Sequence, residues 1–585
     1  MAAPKPRSSR TANEPPSDFR VEIEEGVEAA FELGFDLFPR PLDHVHGHMR
    51  KMPVCQFEGC ILDFSHFAFR KEPESVDKGQ VGHNRHHKVK SDRLAEAGAK
   101  GERAMSGTNR RDWLKGAAAA LAIGQVGWGA KAAWAAELPR ARPANADRHF
   151  TSAAVEALIQ RVQRGIGDRA LATIFENCFP NTLDTTVFPG SFEGKPDTYI
   201  VTGDIDAMWL RDSSAQVWPY LPLAKEDAKL RALLEGAIRR QARMILLDPY
   251  ANAFMRDATA TPLSWAVNDK TDHHPGVGER KWEIDSLCYP VRLAHGYWKA
   301  TGDTRPFDAG WKEAAWTIVR TFREQQRKHD PGPYSFQRSS PVPNDSVSLG
   351  GFGNPALPVG MIFSMFRPSD DACIYPLFVP ANMFAVVCLR KLAELARHVL
   401  DDPKLAAESE ALAAEVDHAV QQYGKTHHAQ FGEIWAYEVD GYGNALMIDD
   451  ADAPGLVTLS YLESCAAEDA LYQRTRRFAL SDSNPYFCRG KAGEGVGSPH
   501  EGINTIWPMS ITYRALTATG EHEIRQCLRW LRDTTAGTGF MHESFKKDDA
   551  ANFTRPWFAW ANTLFGELVV KLAAERPALL AAPIR

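Results

Sequence analysis

The chain has 585 residues, of which 44% are hydrophobic and 24% are charged, so it is long and apolar enough to bury a large core. A formal net charge of −6 disfavours nucleic acid and anionic membranes as partners, because such partners select basic surfaces. The nine cysteines lack a repeated CxxC spacing, which argues against a disulfide scaffold and a standard zinc motif. A neutral or small-molecule substrate fits this composition better.

The first 104 residues are rich in His, Arg, Pro and Lys and show no sustained hydrophobic periodicity. A segment of this kind cannot bury enough apolar surface to offset the entropy of ordering. We therefore predict that residues 1–104 are either a disordered extension or a misassigned start, with translation beginning at Met105.

Residues 105–135 resemble a twin-arginine signal peptide. Arg110 and Arg111 are followed by a weakly apolar run over 116–130, and the string Ala133-Trp134-Ala135 has the small-x-small pattern of a cleavage site. The run is too short and too rich in glycine for a good membrane span. The pattern predicts export by the twin-arginine machinery, cleavage after Ala135, a periplasmic or secreted protein, and no stable membrane insertion after cleavage. The alternative is an ordinary alanine-rich helix.

From about residue 147 the dominant pattern is an apolar residue at i, i+3, i+4 and i+7, which predicts amphipathic helices. Strand-like alternation is scarce, and long polar connections separate alternate helices at 247–282, 328–378 and 480–502. This organisation predicts an all-α catalytic domain over 147–578, an (α/α)6 barrel with its functional loops gathered at one end. The predicted helices lie near 152–176, 230–245, 285–301, 311–326, 380–400, 404–423, 503–518, 521–533 and 560–574.

Five polar clusters lie in the irregular segments between these helices, and each combines carboxylates or histidine with aromatic residues. Charged groups that hydrogen-bond to hydroxyls, together with an aromatic face, are what a carbohydrate site needs. Each cluster alone could instead hold helix caps or ion pairs, but five of them favour one convergent pocket. The clusters are TGDIDAMWLRDSSAQ (202–216), ERKWEIDSLCYP (279–290), FRPSDDACIYP (366–376), GKAGEGVGSPHEGINTIWP (490–508) and GFMHESF with FTRPWFAWAN (539–562).

Other chemistries find less support in the sequence. Asp272, His273 and His274, or His500 with Glu501, could act as metal ligands, but no HxH or HExxH spacing accompanies them. A GxSxG nucleophile motif is also missing. Hydrolysis of a glycosidic bond needs one carboxylic acid to protonate the leaving oxygen and a second carboxylate that activates water or attacks. We therefore expect carboxylate chemistry with no cofactor and no metal.

Together, in this order, the five motifs resemble those of glycoside hydrolase family 125, whose members are exo-acting α-1,6-mannosidases. The resemblance covers nearly all of residues 147–575. It implies an (α/α)6 barrel, hydrolysis with inversion and no metal ion, acting on a mannose-containing oligosaccharide or glycan. A different (α/α)6 glycosidase and a non-catalytic carbohydrate-binding barrel remain the alternatives.

The resemblance also implies roles for individual residues. The general acid falls on Asp370, or on its neighbour Asp371, and the general base falls on Glu543. The other motif residues are expected to bind the terminal mannose; they are Asp204, Trp209, Arg211, Asp212, Glu283, Asp285, Arg367, His500, His542, Arg555 and Trp557.

Overall fold

A computed structural model describes residues 138–584 of the chain. The predicted extension (1–104) and signal peptide (105–135) lie outside these residues. Within 138–584, no helix combines the length and the apolar character needed to cross a membrane.

Helices dominate the described part of the chain. In chain order they are α1 (Ala153–Gln163), α2 (Arg169–Cys178), α3 (Asn181–Thr185), α4 (Leu210–Val217), α5 (Ala228–Leu247), α6 (Ile284–Thr301), α7 (Ala309–Glu324), α8 (Ser348–Gly351), α9 (Val379–His398), α10 (Pro403–Tyr423), α11 (Ala470–Ala479), α12 (Pro508–Leu516), α13 (Glu521–Asp533), α14 (Ala559–Glu575) and α15 (Pro577–Ala581).

Five of these helices form an inner ring. Contacts run from α4 to α6, from α6 to α9, from α12 to α14, and from α14 back to α4. Turns around 453–463 fill the gap between α9 and α12: the Lys391 ammonium of α9 lies 2.7 Å from the Glu463 carboxylate, and Tyr461 packs against Tyr513 of α12 with ring centroids 5.1 Å apart. The (α/α)6 prediction is confirmed, with one inner position that is not a regular helix.

An outer layer of helices covers the ring. The first five inner elements are each followed in the chain by an outer helix, and the sixth, α14, packs against α2. Burial differs between the layers as this arrangement requires. The inner helix α9 is buried along most of its length, whereas the outer helix α13 buries a single apolar face that includes Ile524, Leu528 and Leu531.

Most outer helices also begin differently from the inner helices. An aspartate side chain accepts backbone N–H bonds at the start of α5, α7, α10 and α11, whereas no side chain caps α4, α6, α9, α12 or α14. Several inner helices instead continue directly from a short strand. The free, partly positive N-terminal ends of the inner helices therefore lie beside the long loops that precede them.

Short antiparallel strands join these loops to one another. The hairpin β1–β2 turns at Glu193 and Gly194, both with positive φ, as a two-residue hairpin loop requires. The strands are β1 (Val187–Phe192), β2 (Lys195–Ile200), β3 (Met208–Trp209), β4 (Ala253–Phe254), β5 (Val277–Glu279), β6 (Leu377–Phe378), β7 (Lys425–His428), β8 (Gly432–Trp435), β9 (Glu438–Val439), β10 (Ala445–Leu446), β11 (Phe487–Arg489), β12 (Glu494–Val496), β13 (Thr505–Ile506), β14 (Phe545–Lys546) and β15 (Asp549–Phe553).

Three of these small sheets tie distant loops together at the same end of the ring. They have the strand orders β3-β4-β5, β10-β9-β6 and β13-β14-β15. Each includes a strand that lies just before an inner helix, namely β3 before α4, β6 before α9 and β13 before α12. The loops are therefore held in place by backbone hydrogen bonds at the point where they meet the ring.

Candidate active site

The loops that precede the inner helices surround a cavity. Its wall contains residues from four of the five polar clusters, so those clusters converge as the sequence predicted. The lining residues are Thr202, Ile205, Trp209, Arg211, Asp212, Pro368, Ser369, Asp370, Asp452, His500, Trp507, Glu543, Arg555, Phe558 and Trp560.

Arg211, near the start of α4, is the central cation of the site. Its guanidinium is buried and lies 2.5 Å from a Glu283 oxygen, 3.5 Å from Asp285 and 3.6 Å from Asp212. The Thr202 hydroxyl donates to the other oxygen of Asp212 at 2.6 Å. The cluster from 279–290 thus reaches the site through Arg211, because Glu283 and Asp285 hold that side chain from behind the cavity wall.

Several buried carboxylates share the single cation Arg211, and the pKa values of Glu283 and Asp285 are raised. Burial raises the pKa of Glu283 well above its usual range despite the nearby Arg211 charge. Burial also raises the pKa of Asp285 to about 6, again against the effect of Arg211. A single buried guanidinium does not fully offset the burial of these carboxylates, so their surroundings favour the protonated forms more than water does.

Asp370 projects into the cavity from a tight turn and has a φ of 68°, an unfavourable backbone conformation for a residue with a side chain. The turn is closed by the Arg367 N–H, which donates to the Asp371 carbonyl at 2.8 Å, and by the Lys281 ammonium, which donates to the Asp370 carbonyl at 2.8 Å. The Asn252 amide donates to the Asp370 carboxylate at 3.3 Å. Burial opposes ionisation of Asp370, but the charges of Lys281 and Arg211 prevail and lower its pKa to about 2.

The neighbouring aspartate has a different environment. Asp371 is buried beside the cavity, and its carboxylate lies 3.4 Å from Nδ1 of His500, which does line the cavity. Burial would lower the pKa of His500, but its contact with Asp371 and the charge of Asp370 raise that pKa to about 9. The structure therefore separates the two candidates: Asp370 faces the cavity and Asp371 holds a protonated histidine.

Glu543 enters the same cavity from the loop before β14. The Thr554 hydroxyl donates to its carboxylate at 3.3 Å, and the Arg555 guanidinium lies 3.4 Å away. Burial raises the pKa of Glu543 to about 7, although the Arg555 charge acts in the opposite direction. Glu543 and Asp370 thus line one cavity in environments that move their pKa values apart.

Other predicted binding residues lie outside the cavity wall. Asp204 is largely exposed, and its carboxylate lies 3.7 Å from the Arg555 guanidinium. Arg367 is buried and forms an ion pair with Glu438 at 2.6 Å. His542 is buried and stacks on Phe553 with ring centroids 3.9 Å apart. Trp557 lines a separate depression with Phe540 and Asn177. Arg367 and His542 therefore hold the loops that carry Asp370 and Glu543, and they do not face the cavity.

The histidines considered as metal ligands are not grouped for that purpose. His273 hydrogen-bonds to the Asp269 carbonyl at 2.9 Å, and His274 is partly exposed, 3.8 Å from Asp248. Across residues 138–584, no three His, Cys, Asp or Glu side chains are arranged to hold a metal ion.

Several cavity residues were missed by the sequence analysis. Trp507 and Trp560 stand within the quoted clusters, where their aromatic type was the available signal. Asp452 belongs to the acidic loop MIDDADAP (447–454), which has no aromatic neighbour and was not recognised as a cluster. Its signal was an aspartate-rich segment before a proline, with no helical periodicity.

A family model described as metal-independent alpha-mannosidase (GH125) matches residues 168–570, more than half of the chain. The chain belongs to glycoside hydrolase family 125. This confirms the resemblance of the motifs and the predicted glycoside hydrolase class.

Two relatives are similar over most of their length. The "Meiotically up-regulated gene 157 protein" of the fission yeast Schizosaccharomyces pombe is 40% identical over 461 residues, which cover 76% of this chain and 90% of the yeast protein. A Streptococcus pneumoniae metal-independent alpha mannosidase, solved in a non-productive complex with alpha-1,6-mannobiose, is 39% identical with a TM-score of 0.70. That match covers 73% of this chain and 100% of the pneumococcal chain.

Proposed function

We propose that the protein removes non-reducing terminal α-1,6-linked mannose from a mannose-containing oligosaccharide or glycan, with inversion at the anomeric carbon. The observation that carries this proposal is the presence of Asp370 and Glu543, from two different loops, in one cavity of an alpha-mannosidase family member. The α-1,6 linkage is supported by the mannobiose bound to the pneumococcal relative.

We assign the general base to Glu543 and the general acid to Asp370. An inverting glycosidase needs a base that takes a proton from the attacking water and an acid that protonates the leaving oxygen. A carboxylate with a pKa of about 7 is a competent base once it is ionised. The pKa values alone would favour the reverse assignment, because Asp370 is the ionised group in the free site.

In this proposal Glu283 supplies the proton that Asp370 lacks. Glu283 is within side-chain hydrogen-bonding contact of Asp370, and Arg211 contacts both acids, with one terminal nitrogen 2.5 Å from Glu283 and the other 3.9 Å from Asp370. Because burial raises the pKa of Glu283, this side chain is a source of the proton that the acid needs. Asp370 then donates a proton that it shares with Glu283, and bound sugar, by excluding water from the Asp370 carboxylate, favours the protonated form.

The cavity wall supplies hydrogen bonds and apolar surface for a neutral sugar. Trp209 and Trp507 contribute aromatic surface, and each has a buried indole N–H with no acceptor among the residues that the structure describes. Arg211 and Arg555 add charged donors, and Asp212 adds an acceptor. This mixture of aromatic surface and charged hydrogen-bonding groups suits a ring with several hydroxyls.

The function is tested by incubating the protein with α-1,2-, α-1,3- and α-1,6-linked mannobioses and following the products by proton NMR before mutarotation. We expect release of mannose from the α-1,6 compound, with β-mannose as the first product. Inversion requires the two catalytic carboxyl groups to lie ~6.5–9.5 Å apart, so that water fits between Glu543 and the sugar. Initial α-mannose would indicate retention and remove Glu543 from the base role, and no mannose from any of the three would overturn the proposed activity.

We also propose that the protein is exported by the twin-arginine machinery and works in the periplasm or outside the cell. The proposal is supported by Arg110, Arg111 and the following signal-like residues. The cysteines between 178 and 527 are free thiols, most of them buried, which suits a protein that folds before export. N-terminal sequencing of the native exported protein is expected to begin at Ala136; a mature start well before this residue would contradict the proposal.

A further inference from the structure

Asp452 is a cavity residue that the proposed mechanism does not use. It lines the wall and is only 4% exposed. Its loop is held on both sides, because Asp449 accepts the Leu456 N–H at 2.7 Å and the Ala453 carbonyl accepts the Tyr289 hydroxyl at 3.0 Å. The position of Asp452 is therefore set by the fold before any ligand arrives.

The other cavity carboxylates all have protein partners. Asp212 accepts from Thr202, Asp370 from Asn252, and Glu543 from Thr554. In contrast, Oδ1 of Asp452 is buried without any hydrogen-bond partner among residues 138–584. A buried polar atom without a partner is costly, and in a ligand cavity it marks a place where the ligand supplies the missing bond.

Burial and the neighbouring carboxylates favour the neutral form of Asp452. Burial raises its pKa well above the usual range; Arg211 opposes this effect, while Asp450, Asp212 and Asp370 add to it. In its neutral form the side chain is a carboxylic acid with one O–H donor.

We propose that Asp452 is a specificity-determining residue that donates a hydrogen bond to one ring hydroxyl of the terminal mannose. The inference rests on the proposed function, because it takes the cavity to bind that sugar. A hydroxyl oxygen is a suitable acceptor for a neutral acid, and the hydroxyl hydrogen remains free to donate to a second acceptor. The pairing selects for a hydroxyl at one position and orientation on the ring.

The test compares the wild type with Asp452→Ala and Asp452→Asn on α-1,6-mannobiose and on analogues deoxygenated at C2, C3, C4 or C6 of the non-reducing sugar. We expect Asp452→Ala to lower kcat/KM ~10- to 100-fold on the parent compound, and Asp452→Asn, which keeps an N–H donor, to stay within about fivefold of the wild type. For one deoxy analogue, Asp452→Ala is expected to cause no further loss, because the partner hydroxyl is already missing.

Asp449→Asn serves as the matched control, since it weakens the same loop without replacing a residue of the cavity wall. Thermal unfolding is measured for all variants. An equal loss in Asp452→Ala on every analogue would overturn the contact, as would wild-type activity of that variant. A loss in Asp452→Asn as large as in Asp452→Ala would overturn the donor role. Failure of the wild type to release mannose from the parent compound would instead contradict the proposed function itself.

Discussion

Replacing Glu543 by glutamine is expected to lower kcat by ~10²- to 10⁴-fold, which is the usual loss when a positioned base is removed. Glutamine keeps the shape of the side chain and its contact with Thr554, but it cannot take a proton from water. The measurement is steady-state release of mannose, with circular dichroism and thermal unfolding to show that the fold is intact. Turnover close to that of the wild type would exclude Glu543 as the base.

The same variant has a clear signature in the pH profile. Because a base acts when ionised and the pKa of Glu543 is about 7, kcat/KM of the wild type is expected to fall about tenfold per pH unit below that value. The residual activity of Glu543→Gln is expected to lack this fall in kcat/KM at low pH, which is the acidic limb of the profile. Glu501→Gln provides a matched control: the Glu501 charge raises the pKa of Glu543, so its removal should move the limb to lower pH.

Asp370→Asn and Asp371→Asn are expected to differ in how they depend on the leaving group. Without its acid, Asp370→Asn should lose ~10²- to 10⁴-fold on α-1,6-mannobiose, but far less on an aryl mannoside whose leaving group needs no proton. Asp371→Asn acts through His500, which it would leave without its carboxylate partner. Its loss should therefore be similar on the two substrates.

This comparison also decides between the two assignments of acid and base. If Asp371→Asn rather than Asp370→Asn is rescued by the good leaving group, Asp371 is the acid. If Glu543→Gln is the variant that recovers on the aryl mannoside, the roles are reversed, as the pKa values of the free site alone would suggest. Thermal unfolding of each variant separates a catalytic loss from a loss of folded protein.

Local periodicity was sufficient to predict most of the helices. Helix α13 begins and ends at the predicted residues 521 and 533, and α10 differs from its prediction by one residue at the start. Both have an apolar face that repeats with the helical period, a signal contained entirely within the segment. The motifs that identified the family are local in the same sense, since each is a short string of residues.

The predictions were wrong where a contact with a distant segment determines the structure. A helix was predicted over 503–518, but α12 begins at Pro508 because residues Thr505–Ile506 pair with β14 as a strand. The amphipathic stretch predicted near 152–176 forms two helices, α1 and α2. The break between them contains Gly165 and Gly167, and the Gly167 N–H donates to the distant Leu580 carbonyl at 2.9 Å. Strands of two residues have no alternation to detect, so most of the small sheets could not be predicted.

The site likewise combines features that are local in the sequence with features that depend on distant contacts. The sequence determined that carboxylates, arginine and aromatic residues stand in loops between helices, and its motifs determined the family. Only the tertiary structure decided that Asp370 faces the cavity while Asp371 faces His500, and that Asp452 joins the wall from a loop with no recognisable motif. The physical reason is that closure of the helical ring brings these loops together, and the burial and charge that set each carboxylate's pKa come from residues far away in the chain.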